Sequence, residues 1–118
     1  MRRVLTMLVI CMALGLFLTS QVFSHTPLCS CYDNGDGTVT CEGGFSDGSS
    51  AAGVSMKVVD ENSEVISVKD ENGEIIRLEG KMDEDSEFTF IKPEVPYTVI
   101  FDAGPGHEVI IEGEEITE

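Results

Sequence analysis

The sequence predicts an all-β protein: one small antiparallel β-sandwich of about seven strands, preceded by a cleaved signal peptide. Three observations carry this. An apolar leader ends in small and polar residues. Short alternating segments are then separated by turn residues every ~8–12 positions. No segment after the leader shows a helical period.

Residues 1–24 have the three parts of a secretory signal. Arg2 and Arg3 form the basic start, Val4 to Leu18 the apolar run, and Thr19 to Ser24 the polar end. Val22 and Ser24 supply the small residues that a signal peptidase needs at its −3 and −1 positions. The apolar run is shorter than the ~20 residues of a spanning helix. Cleavage before His25 leaves residues 25–118 as a single domain, with 25–44 as a cysteine-bearing N-terminal segment and hairpin. Both leader charges are Arg, so five basic residues then face 22 acidic ones, and the formal charge goes from −15 to −17. Such a surface repels nucleic acid and anionic lipid, and suits a protein without stable membrane insertion. Periplasmic or other export is the expectation.

In the body, Ser30-Cys31-Tyr32 and Thr38-Val39-Thr40-Cys41 flank Asp33-Asn34-Gly35-Asp36-Gly37, a hairpin turn. A five-residue loop sets Cys29 opposite Cys41; a four-residue loop sets Cys31 opposite Thr40. Read as a calcium loop, the same stretch lacks an acid at Tyr32 and a Glu at Gly43. Gly43 to Gly53 is loop, and Val54 to Val59 alternates as a half-buried strand. Asp60-Glu61-Asn62-Ser63-Glu64-Val65-Ile66 and Asp70-Glu71-Asn72-Gly73-Glu74-Ile75-Ile76 are near copies ten residues apart, each a turn and the start of a strand, with no further copies expected. Phe88 and Phe90 share one face of the next strand. Tyr97 to Phe101 and Glu108 to Glu112 are the last two strands, joined across Ala103-Gly104-Pro105-Gly106-His107. The expected core is Val39, Phe45, Val54, Met56, Val58, Ile75, Leu78, Phe88, Phe90, Tyr97, Val99, Phe101, Val109 and Ile111.

Three stretches together carry a resemblance. Val54–Asp60, followed by Gly80-Lys81-Met82-Asp83-Glu84-Asp85-Ser86-Glu87-Phe88-Thr89-Phe90, resembles the G-x-T-D-x-x-G-x-F-x-F pattern of transthyretin-like, carboxypeptidase-regulatory-like sandwiches. Phe45 to Val54 and Tyr97 to His107 resemble segments of the small exported accessory proteins of nickel and cobalt uptake transporters. The resemblance covers roughly residues 43–112 and implies a sandwich fold and a metal-transport role. The chain departs from the pattern at the extra Asp70–Glu79 unit, at Ser86 where Gly is usual, and in the cysteine hairpin.

The candidate chemistry is metal binding. The chain has two histidines, His25 and His107. As first residue, His25 would offer its amine and Nδ1 as a chelate, and His107 a further imidazole, a nitrogen set suited to Cu(II) or Ni(II). Pro27 has no N–H, so a metal cannot recruit a third backbone amide there. Among the thiols, Cys11 leaves with the leader, and Cys29, Cys31 and Cys41 are an odd number in an oxidising compartment. A Cys29–Cys41 disulfide is expected, and Cys29 or Cys31 joining His25 in a soft-metal site is the sharper alternative. The leading function is an exported accessory protein handing nickel, cobalt or copper to a membrane transporter. The alternative is a ligand-free structural or interaction module stabilised by a disulfide. No general-base pair or Ser/His/Asp set stands out, so an enzyme is not expected.

Overall fold

The computed structural model describes residues 2–9 and 26–118. Residues 2–9 are helical with exposed side chains. Among the described residues, no helix is long and apolar enough to cross a membrane. Most of the proposed leader and His25 lie outside the described residues.

Nine strands follow among the described residues, not about seven: β1 (Pro27–Asp33), β2 (Thr38–Phe45), β3 (Ser55–Val59), β4 (Ser67–Lys69), β5 (Ile75–Arg77), β6 (Glu79–Lys81), β7 (Glu87–Ile91), β8 (Thr98–Asp102) and β9 (Glu108–Glu112). They form antiparallel sheets in the orders β1-β2-β7 and β6-β3-β8-β9, plus a β4-β5 ribbon. The higher count has a local cause at Leu78. Upstream of it β5 pairs with β4, and downstream β6 pairs with β3. The Leu78 N–H donates to the Ile66 carbonyl, while its own carbonyl accepts from Val58 N–H. One alternating segment thereby serves two sheets.

The two larger sheets pack face to face. Phe45 of β2 meets Phe101 of β8 with ring centroids 6.2 Å apart, and Phe90 of β7 meets Tyr97 edge-on at 6.0 Å. Gly43 lies where a Cβ would stand 2.7 Å from the Phe101 ring and 2.6 Å from Met82 Sδ, so only glycine lets β2 approach that closely.

Most of the expected core is buried: Val39, Met56, Val58, Leu78, Phe90, Tyr97, Val99 and Phe101. Phe45, Val54, Phe88, Val109 and Ile111 are half-buried against it. Ile75 is a correction, being 74% exposed. It lies on the ribbon outside the sandwich, where alternation has no core to point into. Cys41 is buried too, in the middle of β2, and so are Ala51, Val59, Ile66 and Met82, at strand ends and in turns where alternation says little.

The duplicated turn has a third copy, against expectation. Asp60–Glu64, Asp70–Glu74 and Asp83–Glu87 share one hydrogen-bond scheme. In each, the Asp N–H donates to the carbonyl four residues on, at 2.9, 2.9 and 2.8 Å. The Asp Oδ1 accepts from the N–H groups two and four residues on. The fourth residue has positive φ: Ser63 at 62°, Gly73 at 79° and Ser86 at 59°. The third copy is masked in sequence because its strand begins Phe88-Thr89, not with two aliphatics. Ser63 and Ser86 hold a left-handed backbone that glycine adopts more readily. The Ser86 hydroxyl compensates by accepting from Ala51 N–H at 2.9 Å.

Tyr97 is 8% exposed, and its hydroxyl has no hydrogen-bond partner among the described residues. Burial holds its phenol above the usual range. An unpaired buried hydroxyl is costly. Tyr97→Phe is therefore expected to stabilise the fold by about 1 kcal/mol, read as a higher urea midpoint at unchanged slope.

Candidate functional site

The site is built from two loops at one end of the sandwich. At the first, the chain enters β1 through Thr26. Its N–H donates to Ser46 Oγ at 3.0 Å, and its carbonyl accepts from Ser46 N–H at 2.9 Å. Pro27 then pairs with Phe45. The residue following His25 is thus clamped to the end of β2.

The second loop joins β8 to β9. Ala103 N–H donates to the His107 carbonyl at 3.0 Å, and His107 N–H to the Gly104 carbonyl at 2.9 Å. Gly104 and Gly106 have φ of 117° and 77°, which side chains resist, and Pro105 between them is fixed in φ. Asp102 Oδ1 accepts from Gly104 N–H at 2.9 Å and ties the loop base. The His107 ring is exposed, with Nδ1 3.1 Å from the Pro105 carbonyl. A carbonyl only accepts, so in the neutral ring this contact places the proton on Nδ1 and leaves Nε2 as the free lone pair. Ligating histidines commonly hold this arrangement.

The register brings the two loops to the same end. Pro27 is opposite Phe45, Phe45 touches Phe101, and Phe101 is opposite Val109, two residues after His107. The far end of β1 lies at the chain's C-terminus, where Asp33 N–H donates to the Thr117 carbonyl at 3.0 Å. His25 itself is outside the described residues. Among the described residues, no three His, Cys, Asp or Glu side chains are gathered as a metal-ligand set.

The thiols correct the expected pairing. Cys31 is bonded to Cys41, and among the described residues Cys29 is the free thiol. The reason is loop length. Asn34 N–H donates to the Thr38 carbonyl, closing a three-residue loop of Gly35, Asp36 and Gly37, shorter than either length expected. Gly35 and Gly37 take positive φ, and the Asp33 and Asp36 carboxylates cap Gly35 and Thr38 N–H groups. In that register Cys31 faces Cys41 with Cα atoms 4.0 Å apart, and Cys29 faces Gly43. Cys31 therefore has no thiolate to offer a metal. Burial pushes the Cys29 thiol up to about 11, which disfavours the thiolate that a metal would need.

No protein-family model, curated protein or solved structure matches this chain.

Proposed function

We propose that the protein is an exported metal-binding accessory protein, taking up a divalent transition metal (nickel, cobalt or copper) for a membrane uptake system. The ligands are the His25 amine, the His25 Nδ1 and the His107 Nε2. One observation carries the reading: Thr26, which follows His25, and the rigid His107 loop occupy the same end of the sandwich, with the His107 lone pair at Nε2 left unengaged. The Cys31–Cys41 disulfide supports passage through an oxidising compartment, as export requires. The transthyretin-like family and the transporter partner belong to this same proposal. The protein acts as a binder, not an enzyme.

The second reading is a ligand-free interaction module stabilised by the Cys31–Cys41 disulfide. Calorimetric titration with Cu(II) and Ni(II) separates the two. Protein beginning at His25 is expected to bind one ion, Cu(II) the more tightly. One residue added ahead of His25 removes the terminal chelate and abolishes tight binding, with all 22 acidic residues still present. His107→Ala removes a direct ligand and weakens binding at least as much as losing an outer-shell partner would, roughly 10–100-fold or more. Protons compete for the same nitrogens, so affinity falls as pH drops from ~7.5 to ~5.5. Equal binding by native and extended proteins would assign the ions to the acidic surface and leave the interaction module as the function.

A further inference from the structure

A second surface lies across the outer face of the four-stranded sheet, toward the end opposite the His107 loop. There the segment between β7 and β8, the paired centres of β8 and β9, and the C-terminal turn enclose a groove of about 950 Å3. Its apolar lining comes from Val95, Ile100, Ile110 and Ile116. Ile100 and Ile110 stand directly opposite each other. Val95 is 53% exposed and Ile110 60%, large aliphatics left in water at the middle of a strand and the tip of a loop. Packing against the sandwich does not explain them.

The rim is mostly acidic. Asp60, Glu61, Glu94, Glu112 and Glu114 line the groove. Its one cation, Lys92, is committed to Asp33 Oδ2 at 2.7 Å. Acidic partners, nucleic acid and anionic lipid are repelled by such a rim. A small free cation would satisfy the carboxylates but leave the isoleucines wet. A second copy would bring like charge to like charge. Cationic side chains at the rim and aliphatic side chains on the floor meet both demands at once.

We infer that this groove is a docking surface for a basic segment of another protein that carries aliphatic anchor residues. It is distinct from the metal site and stands whether or not that site binds.

The test is an amide-shift titration of the 15N-labelled protein with a ten-residue peptide of alternating Lys and Leu. A Lys-Ser peptide of equal charge and a Glu-Leu peptide are the controls. The Lys-Leu peptide is expected to bind, shifting amides around Val95, Ile110 and Glu112 and sparing the acidic turn at Asp70–Glu74. Ile110→Ser should weaken it roughly tenfold, as loss of a central anchor does. Ile110 is exposed, so that variant keeps a dispersed native spectrum, which the same experiment verifies. Glu94→Gln with Glu114→Gln should weaken binding several-fold and flatten its salt dependence. Equal binding of the Lys-Ser peptide, indifference to Ile110→Ser, or shifts spread over every acidic turn would overturn the proposal. So would no binding at all, or a dimer by sedimentation that Ile110→Ser dissociates.

Discussion

Phe101→Ala is expected to destabilise the fold by about 3–5 kcal/mol, the range for removing a fully buried aromatic ring. Phe101 has no exposed surface, and it links the two sheets. Its ring meets Phe45 across the interface and lies against the backbone of Gly43, where even a Cβ would clash. Neighbouring strands are hydrogen-bonded on both sides of β8, through Met56 and Val109, so the walls cannot readily collapse into the space. A small domain has only ~5–15 kcal/mol of stability to lose. The variant should therefore unfold at a far lower urea concentration or fail to accumulate. A cost under about 1 kcal/mol would show that the sheets do not pack around this ring.

Replacing Cys31 and Cys41 together with Ala is expected to cost about 2.5–3 kcal/mol. The bond closes a short loop, with a sequence separation of 10, and the chain-entropy relation gives that value for such a loop. For a domain of this size it corresponds to a fall in Tm of ~10–20 °C. Reductant should lower the Tm of the native protein similarly and leave the double variant unmoved. Cys29 serves as an internal marker. Its half-buried thiol, pushed up to about 11, should react slowly with alkylating reagent at pH 8 and faster once the protein unfolds. Peptide mapping that finds Cys29 bonded to Cys41 in the native protein would refute the register, and with it the loop geometry above.

Much of the fold was legible in local pattern. Alternation in Val54–Val59, Tyr97–Phe101 and Glu108–Glu112 marked the strands around which the larger sheet is built, because a sheet with one buried face imposes a period of two on whatever sequence forms it. The turns were legible for a different reason: Asp, Asn and Gly satisfy their own backbone within five residues, as Asp60–Glu64 and Asp70–Glu74 do. Of the candidate site, the His107 loop was readable from Gly104-Pro105-Gly106, whose backbone limits are intrinsic to those residues.

What lay beyond the sequence depends on contacts between distant segments. Loop lengths of three, four or five residues were all chemically open to Asp33–Gly37, and a one-residue change of register exchanges every partner across the hairpin. The pairing of β2 with β7, Val39 against Phe90 and Cys41 against Phe88, seats Cys41 in the core, and the β1–β2 register sets Cys31 beside it. Ile75 and Leu78 were both expected in the core, although three residues apart on one strand they point to opposite faces. The chain turns at Leu78 to join a different sheet, so one of them is 74% exposed and the other 3%. The groove is assembled from Val95, Ile110 and Ile116, residues with nothing unusual about them in sequence. Local chemistry by itself determined that this chain makes short strands and acidic turns. Which strands meet, which cysteines bond and which isoleucines stay in water were decided by the tertiary structure, because burial is a property of the whole packed chain.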